Sequence, residues 1–218
     1  EFKPIFGVEA YFVPSIKEWK KEYERVKEDK KKARKVISDT DKVSTEDEGA
    51  SKRKSKNKIN ARRHIVLVAL NQTGLNNIYK IVSDSHQGDN FYRYPRLDYK
   101  MLEKYGEGVM ASSACLGGVY AGDYWDNRED GEEAILEAMR KTTRRMMSVF
   151  GDRWYGELQW NNIKEQHELN QLIIQISEEF NMKLISTADS HYPNQTAWKD
   201  RELYKRLGWL GKGTPSWG

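Results

Sequence analysis

A carboxylate and an imidazole stand two positions apart at Asp189 and His191, directly after a short apolar run that predicts a strand. Carboxylate oxygen and neutral imidazole nitrogen are both ligands for divalent metal ions, and at a strand end they can converge on one cation. The same spacing also suits a polar turn in which Asp189 caps a following helix and His191 is exposed. Spacing alone leaves both interpretations open.

Two further residues of chemical interest lie in or after predicted strands. Cys115 follows one strand, and its thiolate would be a soft ligand for a transition metal, although buried cysteines more often act as small hydrophobic groups. Glu9 lies late in an apolar strand, where an unpaired carboxylate is costly. We therefore expect a metal ion or an arginine beside Glu9.

His64 and Glu157 complete the set of candidates. His64 begins a predicted strand, and taken alone it is more typical of a surface histidine or one with satisfied hydrogen bonds. Glu157 is a second carboxylate in an apolar strand, with a salt bridge as the alternative to a functional role. Because strand ends meet at one rim of a parallel fold, the combination of Glu9, Cys115, Glu157 and the Asp189/His191 pair favours a shared metal site over coincidence.

Alternating strands and helices would position these residues. Apolar runs predict strands at 5–13, 64–70, 108–113, 154–159 and 183–186, and helical spacing predicts helices from 15, at 74–82, 99–105, about 131–150 and 165–180. We expect the first helix to fray past Lys30. The alternation predicts an α/β fold of parallel strands wrapped by helices, either as a closed or distorted barrel or as an open doubly wound sheet.

Composition narrows the class of protein. The chain has 218 residues, 38% hydrophobic and 32% charged, which suits one globular domain with no apolar run of membrane-spanning length. Its one cysteine favours a reducing, cytoplasmic setting, and its first residues contain neither an initiator Met nor a signal segment, as expected of part of a longer protein. No P-loop, Gly-x-Gly-x-x-Gly or Cys-x-x-Cys motif is present.

Positive charge is concentrated in residues 17–63, which carry 18 Lys and Arg against 10 Asp and Glu, a net +8, while the remainder has 19 against 23, a net −4. Within this segment, residues 38–60 contain almost no apolar side chains, which predicts a mobile loop. The charge has two interpretations, a solvated surface insertion or non-specific contact with DNA phosphates.

Five motifs in order, at residues 7–11, 64–69, 91–98, 113–118 and 188–192, resemble the PHP (polymerase and histidinol phosphatase) domain of bacterial-type DNA polymerase III α subunits. The resemblance implies a distorted TIM-like β/α barrel, incomplete because its N-terminal strands are missing, over residues 1–200 with the charged insertion at 17–63. Residues 201–218 would begin the connection toward the polymerase core. By resemblance, the ligands of a zinc, manganese or magnesium cluster are Glu9, His64, Cys115, Asp189 and His191.

The resemblance implies a parent DNA-directed DNA polymerase that acts in replication, with DNA, the rest of the polymerase chain and other replisome subunits as partners. Its PHP site would hydrolyse phosphodiesters with metal assistance, in some relatives as a 3′–5′ proofreading exonuclease; this chain alone would not polymerise. A structural module with a degenerate metal site and a stand-alone PHP phosphatase are the alternatives. Residues 160–162 replace a Gly and a His that many relatives have, which alters the surroundings of the site. The His-x-His motif and several further ligands would precede Glu1, so at most five ligands are present and we expect weak metal binding.

Overall fold

The computed structural model describes residues 2–39 and 62–209. The strands in these ranges are β1 (Gly7–Phe12), β2 (Arg63–Ala69), β3 (Phe91–Tyr92), β4 (Tyr94–Pro95), β5 (Val109–Ser112), β6 (Trp154–Gln159) and β7 (Lys183–Thr187). The helices are α1 (Ile16–Asp39), α2 (Gln72–Ser85), α3 (Tyr99–Tyr105), α4 (Val119–Asn127), α5 (Glu132–Phe150), α6 (Lys164–Phe180) and α7 (Trp198–Trp209). None of these helices combines the length and apolar character needed to cross a bilayer.

Five strands form one open sheet in the order β1-β2-β5-β6-β7, and β3 and β4 form a separate hairpin. The α/β class is confirmed, but the expectation of parallel strands is only half right. β5, β6 and β7 are parallel, whereas β1 and β5 both run antiparallel to β2. The connection from β2 to β5 contains α2, the β3–β4 hairpin and α3, and it brings the chain into β5 at the end where β2 left the sheet, with Val109 opposite Ala69.

The two faces of the sheet differ in composition. Ile65 and Leu67 of β2 are fully buried and, with Ala111 and Trp154, they pack against the apolar sides of α2, α4, α5 and α6. We call this side the core face. Strand pairing places the following side chains together on the opposite side, which we call the polar face: Glu9, His64, Val66, Ser112, Glu157, Gln159 and Thr187.

Helix α1 is longer than predicted, since it continues past Lys30 to Asp39. The apolar spacing that we used ends at Val26, but the following residues include lysine, alanine and arginine, which have high helix propensity. Arg25 also bridges Glu22 and Asp29 on the exposed side of the helix. Most of the loop predicted at 38–60 lies outside the described residues.

The aromatic-Pro-Arg-x-Asp stretch has a structural role. The Asp98 carboxylate accepts hydrogen bonds from the backbone N–H groups of Ile16 (3.1 Å) and Met101 (3.2 Å), so it caps both α1 and α3. Arg96 is 2% exposed, donates to two carbonyl groups of the β3–β4 hairpin and stacks 4.2 Å from the Trp19 ring centroid. This stretch therefore attaches α1 to the body of the domain.

Candidate metal centre

Three of the five predicted ligands meet on the polar face. His64 Nδ1 lies 2.7 Å from Glu9 Oε1 and 3.3 Å from Cys115 Sγ. Strand register explains the first contact, because Tyr11 is opposite His64 and Glu9 is opposite Val66, which makes Glu9 a diagonal neighbour of His64 on the same face. A carboxylate, an imidazole and a thiol from three distant parts of the sequence thus share one place.

The loop after β5 brings Cys115 to this place. The backbone N–H of His64 donates to the Gly117 carbonyl oxygen (2.9 Å), and the backbone N–H of Gly117 donates to Cys115 Sγ (3.4 Å). A Cβ atom on Gly117 would lie 3.2 Å from the His64 ring, a tight contact that the ring would have to relieve by moving a few tenths of an ångström. Ala114, just before the cysteine, has a φ of 58° in the left-handed region.

The electrostatic setting of the thiol is negative. Burial raises the pKa of Cys115, and the nearby Asp189 and Glu9 carboxylates raise it further, while the Gly117 N–H lowers it. A divalent cation would reverse this setting, since positive charge favours the thiolate.

Asp189 and His191 lie in the segment after β7. His191 Nδ1 is 2.6 Å from the Asp189 backbone oxygen and 3.9 Å from the Asp189 carboxylate, and its side chain is half exposed. Asp189 has a φ of 48°, and Asn194 caps the next helical turn, so a capping role for Asp189 is wrong. No contact described in the structure joins His191 to Glu9, His64 or Cys115.

Glu157 is buried, at 5% exposure, and among the described residues it has no partner for the salt bridge that we considered for it. Its carboxylate accepts hydrogen bonds from Ser112 Oγ (2.5 Å), Thr187 Oγ1 (2.6 Å) and Gln159 Nε2 (3.2 Å), all neutral donors. Sequence reasoning missed Ser112 and Thr187. The available signal was a hydroxyl side chain in the last position of a short strand, on the same face as the carboxylate.

The kinds of side chain at this place suit a cation better than their present arrangement does. Among the described side chains, no Lys or Arg pairs with Glu9, Glu157 or Asp189. The same residues contain no group of three or more His, Cys, Asp or Glu side chains already arranged to hold a metal ion. Two nitrogen or oxygen ligands of a tetrahedral zinc lie about 3.3 Å apart, so Glu9 and His64, at 2.7 Å, would separate only slightly around an ion.

Comparison with known proteins identifies the family. The PHP domain matches residues 1–161. DNA polymerase III subunit alpha of Aquifex aeolicus (strain VF5) is 33% identical over 192 residues, which is 88% of this chain and 13% of that protein. The same subunit of Borreliella burgdorferi is 32% identical over 194 residues, again 88% and 13%, and that of Thermus aquaticus is 30% identical over 129 residues, 59% and 10%.

The chain therefore spans about an eighth of the length of the first two relatives. The sheet extends past the matched range, since β7 at Lys183–Thr187 pairs with β6 along its whole length. The match covers β1 to β6 and the strands or loops that carry Glu9, His64 and Cys115. This chain belongs to the PHP domain family.

Proposed function

We propose that this chain is the PHP-domain part of a DNA polymerase III α-type replicative polymerase and that its polar face binds a divalent metal ion at a phosphoesterase-type site. Similarity to the DNA polymerase III alpha subunits described above supports this parent protein. PHP domains are generally divalent-metal dependent. The observation that carries the proposal is the convergence of Glu9 and Cys115 on His64 Nδ1, at 2.7 and 3.3 Å, with no Lys or Arg of the described residues paired to Glu9, Glu157 or Asp189.

Glu9, His64 and Cys115 would hold the metal, with Asp189 and His191 as additional ligands from the segment after β7. A bound zinc, manganese or magnesium ion would supply an activated water and would stabilise negative charge on a phosphodiester. The protein's contribution is orientation, because the backbone contacts between His64 and Gly117 fix the imidazole against the cysteine loop. In the parent polymerase the substrate would be DNA, and the specific activity that we propose is a 3′–5′ proofreading exonuclease.

A structural module with a degenerate metal site is the second candidate. The observation that favours it is the direct contact of Glu9 with His64 and of His64 with Cys115, which holds the three side chains together without an ion. In this alternative the cluster is a hydrogen-bonded brace between β1, β2 and the loop after β5. A stand-alone phosphatase is less well supported, because the relatives named above are all polymerase subunits.

Metal titration of two histidine variants separates the two candidates. We expect isothermal titration with Mn²⁺ or Zn²⁺ to detect weak binding that falls by about ten-fold or more in His64→Ala, which removes a nitrogen ligand. His167→Ala, an exposed histidine on α6, is the matched control and should bind like the original chain. If His64→Ala binds metal as well as the control, the cluster is a brace and not a metal site.

The same titration counts the sites, and several tightly held ions per chain would contradict our expectation of weak binding. Hydrolysis of bis(p-nitrophenyl) phosphate, a simple phosphodiester, tests the chemistry. We expect a slow, metal-dependent rate that is lost in His64→Ala and kept in His167→Ala.

A further inference from the structure

Glu157 occupies the space between the ends of three parallel strands. It belongs to β6, and its carboxylate accepts hydrogen bonds from the last residue of β5 (Ser112, 2.5 Å) and the last residue of β7 (Thr187, 2.6 Å). The Gln159 amide adds a third at 3.2 Å. One buried carboxylate thus joins both neighbouring strands at the points where they leave the sheet.

On the β5 side, side chains continue the sheet beyond the backbone pairing. The register between β5 and β6 ends with Ser112 opposite Tyr155, followed by one bond from the Ser113 N–H to the Tyr155 oxygen (3.1 Å). The next contact uses a side chain, because the Glu157 N–H donates to Ser113 Oγ (2.9 Å). The start of the loop that carries Cys115 is therefore fixed by Ser112 and Ser113 against Glu157.

On the β7 side, the same carboxylate fixes the segment that carries Asp189. Thr187 ends β7 two residues before Asp189, and the Thr187 hydroxyl, besides donating to Glu157, lies 3.3 Å from the Gln159 Nε2 donor. Both neighbours of β6 are thus held through hydroxyl groups that point to one residue.

The backbone just after each attachment point is strained. Ala114 and Asp189 have φ angles of 58° and 48°, in the left-handed region that residues with a Cβ atom rarely adopt. Such conformations persist when the surrounding structure fixes them, and they concentrate at functional sites. Here each follows within two residues of a contact that involves Glu157 or its backbone N–H.

We propose that Glu157 is a positioning residue: its carboxylate ties the ends of β5 and β7 together and thereby holds Cys115 and Asp189 in place at the candidate metal centre. What the positioned groups bind rests on the proposed function. The positioning itself is a property of the metal-free chain and is tested separately.

Two substitutions at Glu157 separate the effect of its hydrogen bonds to Ser112 and Thr187 from the effect of its negative charge. Glu157→Gln keeps the side-chain length and one carbonyl acceptor, and the Ser112 and Thr187 hydroxyls can rotate to accept from its amide. The hydrogen bonds to both strands are therefore kept while the negative charge is removed. Glu157→Ala removes both. Thr143→Val is the matched control, because Thr143 is also a fully buried polar residue with a 2.7 Å hydrogen bond, to Tyr120, but it lies in the helical layer.

The readout is the reactivity of the thiol, since Cys115 is the chain's one cysteine. Without metal and at fixed pH, we expect Glu157→Ala to raise the rate of reaction with 5,5′-dithiobis(2-nitrobenzoate) by about ten-fold, because the loop loosens, and Glu157→Gln to stay within about two-fold. Thr143→Val should react at the rate of the original chain even if its Tm falls as much as that of Glu157→Ala. A folded Glu157→Ala chain with an unchanged rate overturns the proposal.

If Glu157→Ala fails to fold, the double variant Ser112→Ala, Thr187→Val removes both strand-end donors. We expect the double variant to show the same faster thiol reaction, and an unchanged rate would overturn the proposal. A metal titration of the same variants separates this proposal from the previous one. If the original chain binds metal, Glu157→Ala should bind about ten-fold more weakly and Glu157→Gln within about three-fold. If the original chain binds none, the metal proposal fails while the thiol rates still decide the role of Glu157.

Discussion

The two faces of the sheet show how one strand serves stability and chemistry at alternate positions. On the core face, Ile65 and Leu67 are fully buried against helices. On the polar face, their neighbours His64 and Val66 are partly exposed, and His64 contacts a carboxylate and a thiol. Since side chains alternate along a strand, a substitution moved by one residue should change from a loss of packing to a loss of site geometry.

The largest expected effect on stability is on the core face. We expect Ile65→Ala to lower the free energy of unfolding by about 2 to 4 kcal/mol, because it removes three carbon atoms from a closely packed site and leaves a cavity. Val66→Ala, at the next position on the polar face, should cost less than about 1 kcal/mol, since its side chain is only partly buried. Urea unfolding of both variants measures the difference. Equal losses would show that the two faces are packed alike.

A smaller effect of opposite sign is expected at a buried acid in the helical layer. Asp123 of α4 has one carboxylate oxygen, Oδ2, that is buried and has no hydrogen-bond partner among the described residues. The pKa of Asp123 is raised from the ordinary 3.8 to about 6, mainly by burial and also by the charge of Asp126, against the lowering effects of Thr142, Arg63 and Lys141. This contrasts with Glu157 on the polar face, where each carboxylate oxygen has a donor.

A raised carboxyl pKa favours the folded chain while the group is protonated. That contribution is complete below pH 3.8 and is lost as the pH rises through about 6. Asp123→Asn cannot ionise, so at pH 7.5 we expect it to be more stable than the original chain by about 1 to 2 kcal/mol, with the gain shrinking toward pH 4. Urea unfolding at the two pH values tests this. A gain that is the same at both would exclude ionisation as its cause.

The sequence predicts the positions of elements better than their directions. Hydrophobic spacing located β6 and α3 at their observed bounds, but it does not encode strand direction, so the antiparallel entry of β5 was not predictable from it. Helix α4 was missed because valine, tyrosine, glycine and tryptophan, which make up much of it, have low helix propensity. Its helical conformation depends on burial of Val119, Tyr120 and Tyr124 in the core.

For the candidate site too, the sequence indicates which residues take part but not how they contact one another. Glu9, His64 and Cys115 could be named from residue type, position in predicted strands and resemblance to a known series of motifs. Their direct contacts, and the attachment of Ser112 and Thr187 to Glu157, depend on the register between strands that are distant in sequence. A period of two shows which side chains share a face, but not which strand lies beside which.

The smallest expected effect on stability is at Gly117, and it tests how closely the polar face is fitted. In Gly117→Ala the new Cβ would lie 3.2 Å from the His64 ring, so the imidazole must move by a few tenths of an ångström. We expect a loss of less than about 1 kcal/mol in unfolding free energy, since the cluster is partly exposed and can adjust. Metal affinity should nevertheless fall, by about three-fold, because ligand orientation is more sensitive than packing to such a shift. If metal affinity is unchanged while stability falls as it does in Ile65→Ala, the polar face behaves as a second core, and the contrast between the two faces is wrong.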